Sequence, residues 1–243
     1  MNLQINDNFF EDTMNLAPWD AMMKLMVWTQ LGEIKGKRIL DFGSGTGVSA
    51  SHYAAENEVV AIEPSSENVS RRWVKNQYRQ ICGKQGALES FHDASFDVIL
   101  CHNVLEYVED EERTEILQEF ARILKKDGFL SVVKHHRQGR VMQMVVLLND
   151  FEAAAGVLSG KNSLSSKYGE IKYYEDKDIE KWCRSLKIIS NRGMRTFWDL
   201  QQNQERHADT GWQRQMLEME LQVQDISEYQ NIAFFHHLIL KKK

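Results

Sequence analysis

The sequence predicts an α/β fold with a mostly parallel sheet closed by an antiparallel terminal strand. Three observations lead there. Short apolar runs alternate with helical stretches through the first 133 residues, the pattern of successive βαβ units. The run Arg38-Ile39-Leu40-Asp41-Phe42 enters Gly43-Ser44-Gly45-Thr46-Gly47, a buried strand passing into a turn built on three alternate glycines. Beyond residue 133 the character changes to apolar helices, ending in a last apolar run over 231–240.

Residues 1–36 read as a helical cap, because Ala21, Leu25 and Trp28 share a face with Met22 and Met26 alongside. Strands follow over 38–42 and 58–63, separated by a helix over 48–56. A helix over 68–75 and a weak strand over 78–82 come next, then a strong strand over 96–101. Residues 111–126 form a helix with apolar Ile116, Phe120, Ile123 and Leu124, stopped by Asp127-Gly128. The fifth strand spans 129–133. One apolar helix is expected over 140–158, another over 178–186, a sixth strand over 186–190 and a helix over 216–223. The whole of 1–243 reads as one domain, with a lid-like insertion over 135–175.

A chain of 243 residues with 42% hydrophobic content can bury a sizeable core. Its first twelve residues are polar and acidic, unlike an export signal, and its longest apolar run is too short to cross a bilayer. Cys82, Cys101 and Cys183 are scattered, with neither zinc spacing nor a disulfide framework, which suits a reducing cytosol. No metal site is expected. The net charge of −5 gives no overall basic excess, so any contact with nucleic acid needs a local patch.

The glycine turn carries the chemistry. Dinucleotide oxidoreductases use related loops, but Asp41 at the strand end would repel a pyrophosphate and attract a cationic ligand. Glu63, followed by Pro64 at the end of the second strand, offers a carboxylate able to accept two hydrogen bonds from a ribose diol. Asp41, Gly43, Ser44, Gly45, Gly47, Glu63 and Pro64 are therefore the candidate ligand contacts. The arrangement resembles the S-adenosylmethionine (SAM) motifs of class I methyltransferases. The stretch Ser95-Phe96-Asp97-Val98-Ile99-Leu100-Cys101-His102-Asn103-Val104-Leu105-Glu106-Tyr107 looks like that superfamily's fourth strand and following turn. The resemblance implies a Rossmann-like sheet and SAM as cofactor.

Within the superfamily the chain is most similar to the bacterial tRNA 5-carboxymethoxyuridine methyltransferase group. The likeness rests on Trp28, His102 with Val104-Leu105-Glu106, Gly139 through Asn149 to Phe151, Arg195-Thr196-Phe197-Trp198-Asp199 and Leu217-Glu218-Met219-Glu220. It implies a carboxylate on a wobble uridine of tRNA as acceptor, a cofactor contact for His102 and a place beside the adenine for Gln85. Arg195, Phe197, Asp199 and His136 are the candidate acceptor residues. Arg195 either grips the carboxylate in two-pronged fashion or pairs with Asp199 on the surface. His135, His136, Arg137 and Arg140 form a basic cluster that meets a phosphate backbone or is a solvated turn. The chain departs from the group at Met23, where an arginine is thought to meet the cofactor's carboxylate and where neighbouring Lys24 points elsewhere on the helix. Trp198 and Leu200 replace polar side chains. The alternative acceptor is a small metabolite, favoured by the acidic charge and by Tyr168, Tyr173, Trp198 and Trp212. A nicotinamide-dependent oxidoreductase and a non-catalytic SAM-binding regulator are the remaining readings.

Overall fold

A computed structural model describes residues 7–165 and 169–243; Tyr168 lies outside them. The chain divides into two compact units. One comprises the stretch up to Glu33 with His135–Tyr173 and Asn191–His237; the other comprises Ile34–Lys134, Tyr174–Ser190 and Leu238–Lys243.

In the first unit, the expected single N-terminal helix is two, α1 (Asp7–Thr13) and α2 (Pro18–Leu31). Pro18 is the cause. It suits a first helical position but forces Ala17 into extended backbone, φ −58° and ψ 143°, which starts a new helix. Helix α2 is buried on nearly every side, Leu25, Met26 and Trp28 included.

The second unit carries β1 (Arg38–Phe42), α3 (Val48–Tyr53), β2 (Glu58–Glu63), α4 (Ser66–Ser70), β3 (Arg79–Cys82), β4 (Phe96–His102) and α5 (Asp110–Ile123). Helix α4 stops short of the expected residue 75 because tertiary bonds take over the backbone. Ser51 Oγ accepts from the N–H groups of Lys75 and Asn76 at 2.8 and 3.0 Å, and Trp73 N–H donates to Thr46 O at 2.7 Å. Helix α5 ends at Ile123, three residues early, since Leu124 turns extended (ψ 136°) and opens β5 (Leu124–His135). Residues 125–128 bulge from that strand, so Leu124 pairs with Phe96 while Phe129 pairs with Val98.

The expected helix over 140–158 is broken. Helix α6 (Arg137–Gln143) runs into a wide turn at Met144–Leu148, and α7 (Phe151–Leu158) starts afresh. Asn149 sits in the left-handed region at φ 53°, and the Asp150 side chain caps α7 by accepting from Ala153 N–H at 3.0 Å. A hairpin of β6 (Ser163–Ser165) and β7 (Gly169–Ile171) follows, then α8 (Asp176–Trp182) and β8 (Leu186–Met194). The chain ends with α9 (Thr210–Val223), α10 (Ser227–Gln230) and β9 (Phe235–Lys242).

Seven strands form one sheet in the order β3-β2-β1-β4-β5-β9-β8. Strands β1 to β5 pair in parallel. Strand β9 is antiparallel to β8, and one residue beyond each strand Lys243 N–H donates to Ser185 O at 2.9 Å. The chain steps outward from β1 to β3 and returns to β4 on the other side of β1. That reversal opens a crevice at the carboxyl ends of β1 and β4, the place where open α/β sheets bind ligands. Beneath it lies the core of the second unit, with Leu40, Ile62, Ile99, Phe120, Leu130 and Leu238. Phe42 and Phe120 meet edge to face at 5.2 Å. Each such side chain stabilises the fold by about 1.5–3 kcal/mol. Among the described residues no helix is long and apolar enough to cross a membrane.

Candidate active site

The register places the two acids at neighbouring strand ends. Asp41 lies opposite Ala61 on β2 and Leu100 on β4, and Glu63 closes β2. Both are buried, at 4% and 6% exposure. The turn between them needs glycine for two reasons. Gly43 and Gly47 adopt φ 74° and 75°, and a Cβ at either would run into a neighbour, Val104 at the first and Tyr78 at the second.

Glu63 holds this turn in shape. Its Oε2 accepts the Gly45 N–H at 2.8 Å, and its Oε1 accepts Ser65 N–H and Asn68 Nδ2, both at 3.0 Å. These bonds to a charged acceptor fix the loop and leave one lone-pair direction on Oε2 for a ligand hydroxyl. Two buried hydroxyls nearby, Ser44 Oγ and Tyr53 Oη, have no hydrogen-bond partner among the described residues. Burial, and secondarily the charge of Asp41, push the Tyr53 phenol above its ordinary range, so it remains a neutral donor. Buried polar atoms without protein partners are uncommon. Two acids, two unmet hydroxyls and a turn built on three glycines fit the polar, cationic and diol-bearing groups of SAM. Tyr53 carried no signal in the sequence, where it was one apolar position of a short helix.

His102 caps β4, its Nε2 within 2.8 Å of the buried Ser131 Oγ. Asn103 turns the chain at φ 55° and brings Val104 over Gly43. Gln85 donates to Glu112 Oε1 at 3.1 Å, linking its turn to α5. Pro64 is exposed and precedes Ser65, which caps α4.

In the first unit, Arg195, Phe197 and Asp199 share the loop after β8. Arg195, itself left-handed at φ 57°, donates from Nε and Nη2 to the two Asp199 oxygens at 2.8 and 2.5 Å, and from Nη1 to Trp19 O at 3.4 Å. The Phe234 and Phe235 rings lie 5.2 and 5.1 Å from its guanidinium carbon. The pair is therefore present but buried, not the surface contact weighed from sequence, and Arg195 spends its donors inside the protein. Glu220 fastens the same loop by accepting the N–H groups of Thr196, Phe197 and Trp198 at 2.7, 2.8 and 2.9 Å. Phe197 lines an open apolar hollow of about 360 Å³ with Trp212, Gln215, Met216 and Met219. Trp198 stacks on His207 at 4.1 Å. His136 is stacked on His236 at 3.9 Å with Nδ1 3.0 Å from Ala233 O. Met23 is buried on α2 and Lys24 partly so.

Residues 40–132 match the family model described as a methyltransferase domain. The ubiquinone biosynthesis O-methyltransferase of Glaesserella parasuis is 25% identical over 158 residues, 61% of this chain and 63% of that protein. Two solved structures share the fold. One is a SAM-dependent methyltransferase from Methanosarcina mazei, with TM-score 0.55 and 18% identity over 88% of this chain and 95% of that one. The other belongs to the Haloferax volcanii complex of the Trm112 methyltransferase activator with a methyltransferase, with TM-score 0.59 and 14% identity over 98% and 97%.

Proposed function

We infer that this chain, a class I SAM-dependent methyltransferase by its fold and methyltransferase domain, methylates a carboxylate oxygen, that of a wobble 5-carboxymethoxyuridine in tRNA. The observation that carries methyl transfer is the pair of buried acids, Asp41 and Glu63, flanking a glycine turn at the crevice of the sheet. When bound, SAM supplies an electrophilic methyl group on a sulfonium.

Asp41 places negative charge where the ligand is positive. Glu63 holds the loop and offers its remaining lone pair to a ribose hydroxyl, while Ser44 and Tyr53 supply the unmet hydroxyls. Positioning of this kind can account for much of a displacement's acceleration. A carboxylate acceptor is already ionised at neutral pH, so no side chain has to remove a proton. The acceptor assignment is supported by the resemblance carried by Arg195-x-Phe197-x-Asp199 and the Glu220 that clamps it. A second reading takes a phenolic acceptor, favoured by the name of the Glaesserella relative and by the apolar hollow beside Phe197.

Mass spectrometry of tRNA nucleosides from a deletion strain separates the two. Loss of the wobble methyl ester supports the first reading. Unchanged tRNA nucleosides, with an unmethylated phenol accumulating instead, would establish the second.

A further inference from the structure

We propose that Arg140 is the cation that receives the acceptor's carboxylate, an assignment that rests on the carboxylate reading above. Arg195 is the obvious candidate from sequence, yet its Nε–Nη2 edge is filled by Asp199, its Nη1 points to Trp19 O and two phenylalanine rings flank it. A second guanidinium belongs to the same cluster. Arg140 on α6 donates from Nη1 to Gln143 Oε1, and Gln143 Nε2 donates onward to Asp199 Oδ1 at 3.0 Å.

The rest of Arg140 is unspent. Its Nε is buried and has no acceptor, and it forms no ion pair among the described residues. The idle edge, Nε with Nη2, is the edge by which Arg195 grips Asp199 with two parallel hydrogen bonds. Charge points the same way. Asp199 feels Arg140 but is gripped directly by Arg195, so Arg140 has no carboxylate of its own in contact among the described residues. A planar carboxylate supplies the missing anion and the missing acceptor together, and the fork geometry selects it over a point-like anion. Gln143 sets the orientation, tying Arg140 to the buried pair so that its free edge is held rather than sampled.

The test uses the full chain labelled with ¹⁵N, observing the arginine Nε–Hε signals. The Arg140 signal is assigned by its disappearance in Arg140→Lys. Titration with sodium acetate should shift that signal to saturation and leave the Arg195 signal in place. No shift with acetate overturns the proposal, as does saturation by inorganic phosphate at lower concentration than acetate, which would mark a phosphate contact. Kinetics with tRNA bearing 5-carboxymethoxyuridine supply the second arm. Arg140→Gln should raise the acceptor KM roughly 10- to 100-fold, the loss expected for a charge-assisted pair, with SAM affinity unchanged and partial rescue by Arg140→Lys. If Arg140→Gln weakens SAM instead and spares the acceptor KM, the anion is the cofactor's own carboxylate and the proposal falls. If acetate shifts the signal but the wild-type chain leaves the tRNA unmethylated, the acceptor reading fails while the oxyanion site stands.

Discussion

Glu63 has two tasks that substitution can separate. Its carboxylate fastens Gly45, Ser65 and Asn68, and it offers what is left to the ligand. Glu63→Ala removes both and should weaken SAM binding by roughly 1.5–3 kcal/mol per charged hydrogen bond lost, measured by isothermal titration. Asp41→Ala removes negative charge from the ligand's side and should also weaken binding. Unchanged titration heats in both variants would refute the site. The glycines and the two acids were legible because alternate glycines between an apolar run and a helix have few other uses. Tyr53 and Ser44 were not recognisable as a buried pair of hydroxyls, since only the fold shows which polar atoms lack partners. The Arg195–Asp199 spacing of four allowed a surface pair or a ligand grip. Burial of both side chains, with two phenylalanine rings against Arg195, decided between them, and spacing cannot reveal it.

Among the elements, β1 to β4 were read nearly to the residue, because apolar β-branched runs between turn signals describe buried strands well, whereas β5 runs from Leu124 to His135, well past the expected 129–133. Helices after the fifth strand were read less well. The apolar stretch over 140–158 has the composition of one helix, and its break lies in two polar residues that look like an ordinary surface pair. Asn149 tolerates the left-handed backbone and Asp150 restarts the helix, so the dipeptide acts as a stop and a start. Asn149→Gly should therefore leave thermal stability nearly unchanged. Asn149→Ala should cost about 1–2 kcal/mol from backbone strain, and Asp150→Ala about 1 kcal/mol from the lost cap. Chemical denaturation followed by far-ultraviolet circular dichroism would check the order. Equal stability of Asn149→Ala and wild type would mean that the break is not held by the left-handed residue. The end of α4 was missed for a different reason: Ser51 and Thr46, distant in sequence, capture the backbone over 73–76.

For the molecule as a whole, overall charge is silent about stability, because two buried titrating groups in the first unit act against each other. His237 Nδ1–H donates to Gln30 Oε1 at 2.6 Å, within a chain in which Gln30 Nε2 donates to Gln224 Oε1 at 2.8 Å and Arg192 Nη1 donates to Gln30 O. Burial, and next the Arg192 charge, lower the His237 imidazole from 6.5 to about 3. The unfolded chain binds this proton from pH 6.5 downward while the folded chain refuses it, so stability falls with acid between pH 6.5 and 3 by about 1.4 kcal/mol per pH unit. Glu220 works in the other direction. Burial raises it from 4.5 to about 7 despite the pull of its three backbone N–H donors. The folded chain keeps that proton after the unfolded chain has released it, so its stabilising share is complete below pH 4.5 and is lost as pH rises to 7. The two slopes overlap and cancel between pH 4.5 and 6.5, where their combined contribution should be flat. Urea melts by tryptophan fluorescence at half-unit pH steps would resolve them, each variant being compared with wild type. Relative to wild type, His237→Gln should gain stability with acid throughout pH 6.5 to 3, and Glu220→Gln should lose it with acid between pH 7 and 4.5. Parallel curves for all three proteins would show that neither group changes its proton on unfolding, and the opposed pair would have to be abandoned.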